Sequence, residues 1–286
     1  MAWQTLVSAE QAAARLADPR LRIFDSQYNL LQSGAGRAAY AESHLPGAVY
    51  ADLDYDLAVP ATPRSGRHPL PDPAAFGARL RSWGVDDDSL LLAYDESNGM
   101  WASRFWWMAA KWLGHPHVAV LDGGLRRWRA LGLPLTAVIA PPRPAGNFSP
   151  RLNEAAVVDA EITARAAVHA QSRVLDARAP ERYRGEVEPI DAVAGHVPGA
   201  RNHPSSRCFD TDGRFLPAPE LRQAFEASLE GVAPDATITM CGSGVTACHL
   251  LLGMEVAGMP GGRLYAGSWS EWSRDPSRPV ARGAEP

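Results

Sequence analysis

A chain of 286 residues with 46% hydrophobic and 21% charged residues has the balance of a folded globular protein, and its length accommodates two domains, each with its own core. The formal net charge of -4 gives no basic footprint, which argues against nucleic acid as a partner. No run approaches the roughly 18 consecutive apolar residues of a membrane span, and the opening MAWQTLVSAEQAAARL lacks the apolar stretch of a secretory signal. A cytoplasmic location without a membrane partner is expected. The three cysteines, Cys208, Cys241 and Cys248, form no disulfide framework, and no histidine stands at zinc-ligand spacing from them, so no metal site is expected.

Taken in chain order, the elements come twice. Ser8-Ala-Glu-Gln11 is a capping box before an alanine-rich helix, followed by a strand ending at Asp25; Asp159-Ala-Glu-Ile162 opens the same arrangement, ending at Asp176. His44-Leu-Pro-Gly-Ala then recurs as His196-Val-Pro-Gly-Ala, and Leu70-Pro-Asp-Pro as Leu216-Pro-Ala-Pro. The apolar run LLLAYD (90–95) matches ATITMC (236–241), and Gly99-Met-Trp-Ala matches Gly244-Val-Thr-Ala. Gly123-Gly-Leu-Arg-Arg-Trp128 corresponds to Gly267-Ser-Trp-Ser-Glu-Trp272. So long a period is a duplicated domain rather than a solenoid. The Ala140-Pro-Pro-Arg-Pro-Ala-Gly-Asn stretch resists helix and ladder formation and reads as a linker, giving domains at 1–140 and 150–286 with a linker at 141–149. Short apolar strands alternating with helical patterns predict an α/β fold with mainly parallel sheets flanked by helices.

In such sheets ligands gather beyond the carboxyl ends of the strands, which points to the loop after 236–240. There Cys241 is followed by Gly242-Ser-Gly-Val-Thr246, with a helix predicted to begin near Thr246. Gly242 and Gly244 permit the backbone N–H groups from Gly242 to Thr246 to turn inward around an anionic sulfur, and the helix start adds positive partial charge at the same spot. The first half carries Tyr94-Asp-Glu-Ser-Asn-Gly99 instead, with acids where the nucleophile would be. A cysteine before a loop also suits a protein phosphatase, but that chemistry needs an arginine closing the loop to fork onto phosphate, and Ala247 stands in that place.

Cys241-Gly-Ser-Gly-Val-Thr-Ala resembles the active loop of 3-mercaptopyruvate sulfurtransferases within the tandem rhodanese family. His-x-Pro-Gly-Ala in both halves, Asp176-Ala-Arg178 and Gly267-Ser-Trp-Ser-Glu-Trp272 resemble further family signatures in the family's order. The resemblance implies two tandem rhodanese-like domains, an inactive one followed by a catalytic one, with the inactive copy as a wall over the site. It implies a Cys241 persulfide that moves sulfane sulfur from 3-mercaptopyruvate to cyanide, a thiol or a reduced thioredoxin-like protein, with no cofactor. Thiosulfate-preferring relatives carry cationic residues after the cysteine, where this chain has Gly242 and Ser243, and its loop is expected to offer only backbone dipoles. Thiosulfate:cyanide transfer and a non-catalytic rhodanese-like sulfur carrier are the alternatives.

Mercaptopyruvate offers a carboxylate and a keto oxygen, which arginine forks can orient. By resemblance Arg182 is the substrate arginine, with Arg184 beside it and Arg178 structural next to Asp176. The family's second substrate arginine aligns with Glu188-Pro-Ile-Asp191, where none stands. Gly242, Gly244, Val245 and Thr246 are expected to cradle substrate, and Ser243 to contact it. His44 is the histidine that the resemblance couples to Ser243, although its equivalence to His196 in the other copy also suits a structural role; Glu42 is the nearest acid in sequence. Cys208 and Cys248 read as small buried apolar groups, and Trp101, Trp106, Trp107 and Trp112 as packing.

Overall fold

A computed structural model describes Trp3 and residues 5–286 of the chain. The residues divide into two compact units. The first gathers the described residues up to Ala58, Pro71–Asn153 and the short piece Asp210–Phe215; the second gathers Glu154–Phe209, Leu216–Pro286 and the arm Val59–Leu70. Each unit thus takes in a segment from the other half of the sequence.

The first unit contains β1 (Thr5–Val7), α1 (Ala9–Ala13), β2 (Leu21–Asp25), α2 (Ala35–Glu42), β3 (Ala48–Tyr50), α3 (Pro73–Ser82), β4 (Leu90–Tyr94), α4 (Ala102–Trp106), β5 (Val118–Leu121) and α5 (Gly124–Ala130). The second repeats the order with β6 (Val157–Val158), α6 (Ala160–Ala167), β7 (Arg173–Asp176), α7 (Pro180–Tyr183), β8 (Arg201–Asn202), α8 (Ala218–Leu229), β9 (Thr237–Met240), α9 (Thr246–Val256), β10 (Arg263–Tyr265) and α10 (Ser268–Trp272). Both sheets have five strands, ordered β1-β5-β4-β2-β3 and β6-β10-β9-β7-β8, so the internal symmetry read from the sequence is a symmetry of topology. Among the described residues all pairings between these strands are parallel, the α/β arrangement expected.

Local chemistry sets the helix starts. Ser8 Oγ accepts from Gln11 N while Gln11 Oε1 accepts from Ser8 N, closing the capping box of α1. At the equivalent place Asp159 accepts from Ile162 N at 2.7 Å and caps α6. Every residue of β4 and β9 is buried, as continuous apolar strands covered on both faces must be. Ile23, Leu92, Ala119 and Trp128 belong to the first core, and Val174, Ile238, Met240 and Trp269 to the second. Trp106, Trp107 and Trp112 are buried in the first unit, with the rings of Trp107 and Trp112 stacked 6.2 Å apart.

Candidate active site

β9 ends at Met240, which leaves Cys241 at the carboxyl edge of the second sheet, and α9 begins at Thr246. Five residues make the loop between them. Its tightest point is Gly244, where φ is +81° and a Cβ would run into the carbonyl oxygen of Ala266, so no other residue fits without displacing backbone. The Gly244 N–H donates to Cys241 Sγ at 3.2 Å. Val245 is the buried cap of α9, and Thr246 is its first residue.

The Gly267-Ser-Trp-Ser-Glu-Trp motif holds this loop from behind. Ser268 Oγ accepts from Cys241 N at 3.1 Å and donates to Tyr265 O at 2.9 Å. Trp269 N donates to Cys241 O and Ser270 N to Gly242 O, at 3.0 and 2.9 Å. The cysteine's backbone is therefore pinned on both sides, and the residue is only 2% exposed.

The arm Val59–Leu70 closes over the same loop. Arg274 Nη1 donates to the carbonyls of Thr62 and Ser65, and Arg67 N donates to Ser270 Oγ at 2.9 Å. A Cβ on Gly66 would run into the carbonyl oxygen of Gly267, so a side chain there would need backbone to move. These ties place His68 Nδ1 2.8 Å from Ser243 Oγ, with both residues buried. They also place Arg67 Nη2 3.1 Å from where a Cβ on Gly242 would lie, with both Nη atoms of Arg182 at 3.7 Å from that point.

The charges form an alternating row. Arg178 is buried, donates to Asp176 and to Gly195 O, and lies over the Trp269 ring at 4.7 Å. Glu188 stands 3.4 Å from Arg178 and receives a fork from Arg182, Nε at 3.2 Å and Nη2 at 2.6 Å. Burial opposes its ionisation, but that fork and the N–H groups of Ile190 and Asp191 hold its carboxyl below the ordinary range. Asp191 pairs with Arg67 and lies 3.5 Å from Arg182; burial raises its carboxyl above the ordinary range, with Arg67 opposing. The Glu188–Asp191 turn is thus wound around a carboxylate, and the guanidiniums come from elsewhere.

Several sequence-based expectations are corrected. His44 is not the partner of Ser243: its Nδ1 faces Tyr40 O at 2.6 Å and its Nε2 faces Val138 O at 3.2 Å. It also bridges to Thr136 and stacks on Tyr40, and His196 repeats this with Tyr183, Glu285 and Ala281. The shared histidine pins a chain crossing in both units. Arg184 forks onto Glu186 at the surface, at 2.7 and 2.8 Å, because a carboxylate two residues on captures it. The loop's surroundings are not backbone dipoles alone, since two guanidiniums flank Gly242. His68 and Arg67 were missed, although the repeat held a signal: at the position equivalent to His68 the second copy has Arg214, so this histidine serves one copy only.

Cys208 is fully buried and its thiol is pushed up to about 12 by burial, while Cys248 Sγ donates to Gly244 O at 3.3 Å. In the first unit Asp95 takes the place of Cys241, and its own carboxylate fills the loop. Oδ1 accepts from Ser97 N and Gly99 N, and Oδ2 from Trp101 N and Ala102 N, at 2.8 to 3.2 Å. Among the described residues no group of three or more His, Cys, Asp or Glu could hold a metal ion, and no helix is long and apolar enough to cross a membrane.

The rhodanese-like domain model matches residues 8–131 and again 158–275. A Pseudomonas aeruginosa protein described as a probable 3-mercaptopyruvate sulfurtransferase is 46% identical over 280 residues, covering 97% of this chain and 98% of its own. The human 3-mercaptopyruvate sulfurtransferase is 35% identical, covering 94% of this chain and 92% of its own. The solved structure of SseA from Escherichia coli, presented with the rhodanese fold of 3-mercaptopyruvate sulfotransferases, superposes with a TM-score of 0.80 at 34% identity, over 95% of this chain and 100% of that one. With one match in each topologically equivalent unit and a cysteine loop in the second, the chain belongs to the rhodanese family as a tandem-domain member.

Proposed function

We propose that the chain is a 3-mercaptopyruvate sulfurtransferase that carries sulfane sulfur on Cys241. The observation that carries this reading is the placement around one loop of a sulfur nucleophile, a hydroxyl–imidazole pair and guanidiniums, a set matching the thiol, ketone and carboxylate of the donor. The Cys241 thiolate attacks the donor's sulfur; an S–S bond forms, the donor's C–S bond breaks, and its electron pair passes into the enolate of pyruvate. The proton that leaves the donor's thiol ends on pyruvate, so one thiolate and one mercaptopyruvate give one persulfide anion and one pyruvate. Ser243, against His68, supplies a hydrogen bond and a proton path at the keto oxygen where charge develops. Arg182 draws the carboxylate. The persulfide's outer sulfur then passes to cyanide, to a thiol or to a reduced thioredoxin-like protein, regenerating the thiolate.

Steady-state rates with 3-mercaptopyruvate and with thiosulfate, each with cyanide and with dithiothreitol, test the reading. Mercaptopyruvate is expected to give the higher kcat/KM, Cys241→Ser to abolish turnover, and mass spectrometry after donor treatment to find one added sulfur on Cys241. A sulfur adduct on Cys248 or Cys208, or thiosulfate as the better donor, would overturn it.

A further inference from the structure

We infer that Arg67, carried on the arm Val59–Leu70, is a specificity-determining residue of the sulfur-transfer site: with Arg182 it forms a two-guanidinium seat over Gly242 for the carboxylate of an α-keto thiol donor. The inference rests on the donor class proposed above and adds a residue that the sequence reading did not include.

Adjacency is the first support. Arg67 and His68 are consecutive in the arm, and they stand over Gly242 and Ser243, which are consecutive in the loop. The donor's carboxylate and keto carbons are likewise directly bonded. Carboxylate over Gly242 and keto oxygen over Ser243 therefore occupy neighbouring places that the arm reads with neighbouring side chains.

The incomplete pairing of Arg67 is the second. Its Nη1 donates to Asp191 Oδ1, but its Nε is buried without a hydrogen-bond partner among the described residues; Asp191 Oδ2 likewise accepts no hydrogen bond among them and lies 3.5 Å from Arg182 Nη2. A buried donor left unpaired costs free energy that a ligand's oxygen recovers on binding. Arg182 is similarly half committed: Nε and Nη2 go to Glu188, which leaves Nη1 beside Gly242. Each guanidinium is thus fixed along one edge by a protein carboxylate and presents another edge to the space beside the nucleophile, the arrangement that a planar carboxylate can use.

Fixation of the arm is the third. The Arg67 N–H is tied to Ser270 Oγ and its neighbour Gly66 abuts the Gly267 carbonyl, so the guanidinium is carried on backbone registered against the 267–270 segment, which also holds Cys241 through Ser268 and Trp269 and Gly242 through Ser270. A long side chain serving only to neutralise Asp191 would need no such registration.

The test uses the full chain and two donors, 3-mercaptopyruvate and 1-mercaptopropan-2-one, the ketone thiol that has a methyl group where mercaptopyruvate has its carboxylate. Arg67→Ala is expected to lower kcat/KM for mercaptopyruvate by about 10- to 100-fold, chiefly through KM, the loss expected of a hydrogen bond to a charged group. Use of the ketone thiol should change by less than about twofold, Arg67→Lys should restore part of the mercaptopyruvate loss, and inhibition by pyruvate should weaken in parallel. The Arg67→Ala, Asp191→Asn double variant also removes the charge of the buried carboxylate that Arg67→Ala deprives of its Arg67 partner. If it regains wild-type use of mercaptopyruvate, Arg67 merely neutralises Asp191 and the inference fails. Equal losses with both donors would likewise overturn it, as a structural effect. Failure of the unaltered protein to use mercaptopyruvate is a separate result, which would sink the donor assignment itself.

Discussion

His44 and His68 are both buried, yet the ring of one is held between backbone carbonyls while the other meets the Ser243 hydroxyl beside the nucleophile. His44 lies in a family-like motif, but both of its ring nitrogens face backbone carbonyls and His196 repeats the arrangement, so presence in both copies marks a fold device. His68 lies in a proline-rich stretch without periodicity, and nothing local announces that it will meet Ser243, 175 residues away. The contrast can be measured. His68→Asn and Ser243→Ala are each expected to lower kcat with mercaptopyruvate by about 100-fold, the usual scale of a lost acid–base contribution. The double variant should lose little more, because residues acting as a unit are not additive. Multiplicative losses in the double variant would separate the two residues. His44→Asn should lower the melting temperature while leaving the folded enzyme's rates near normal.

At the scale of elements, the strand, glycine loop and helix around Cys241 were legible because each has a strong local cause: an apolar run, a position only glycine can fill, and a helix that starts once the glycines end. The arm was not legible, since its course is fixed by distant partners, Arg274, Ser270 and Gly267, rather than by propensity. The first unit's equivalent loop shows how such a loop persists without its sulfur. Asp95 satisfies four backbone N–H groups with its own carboxylate, an internal anion in the nucleophile's place. Asp95→Ala leaves these donors facing no acceptor and is expected to cost about 2 to 4 kcal/mol of stability. Urea denaturation would measure it. A loss below about 0.5 kcal/mol would show that the carboxylate is not what holds this loop.

At the scale of the whole chain, duplication and sheet type were readable because repeats and apolar runs survive in the sequence, whereas the exchange of segments between units leaves no trace in composition. The exchange has a measurable signature in hydrogen exchange, since amides open with the cooperative unit that holds them. Ile238→Ala, a cavity in the second core costing about 2 to 5 kcal/mol, should speed exchange at the Arg67 amide but not along β4. Leu92→Ala in the first core should instead speed exchange at Phe215, whose N–H donates to Asp122 at 2.9 Å. An Arg67 amide that follows Leu92→Ala would place the arm with the first unit.

The arm also changes how inherited or engineered variation in this protein should be interpreted. Position along the chain is a poor guide to consequence: a change at Gly66, Arg67 or His68 falls within the half that has no cysteine, yet it alters the surroundings of Cys241. Such alleles should score as loss of sulfur transfer with normal abundance. Substitutions at Asp210 to Phe215, numbered within the half that bears the cysteine, should instead act on the abundance and folding of the first unit.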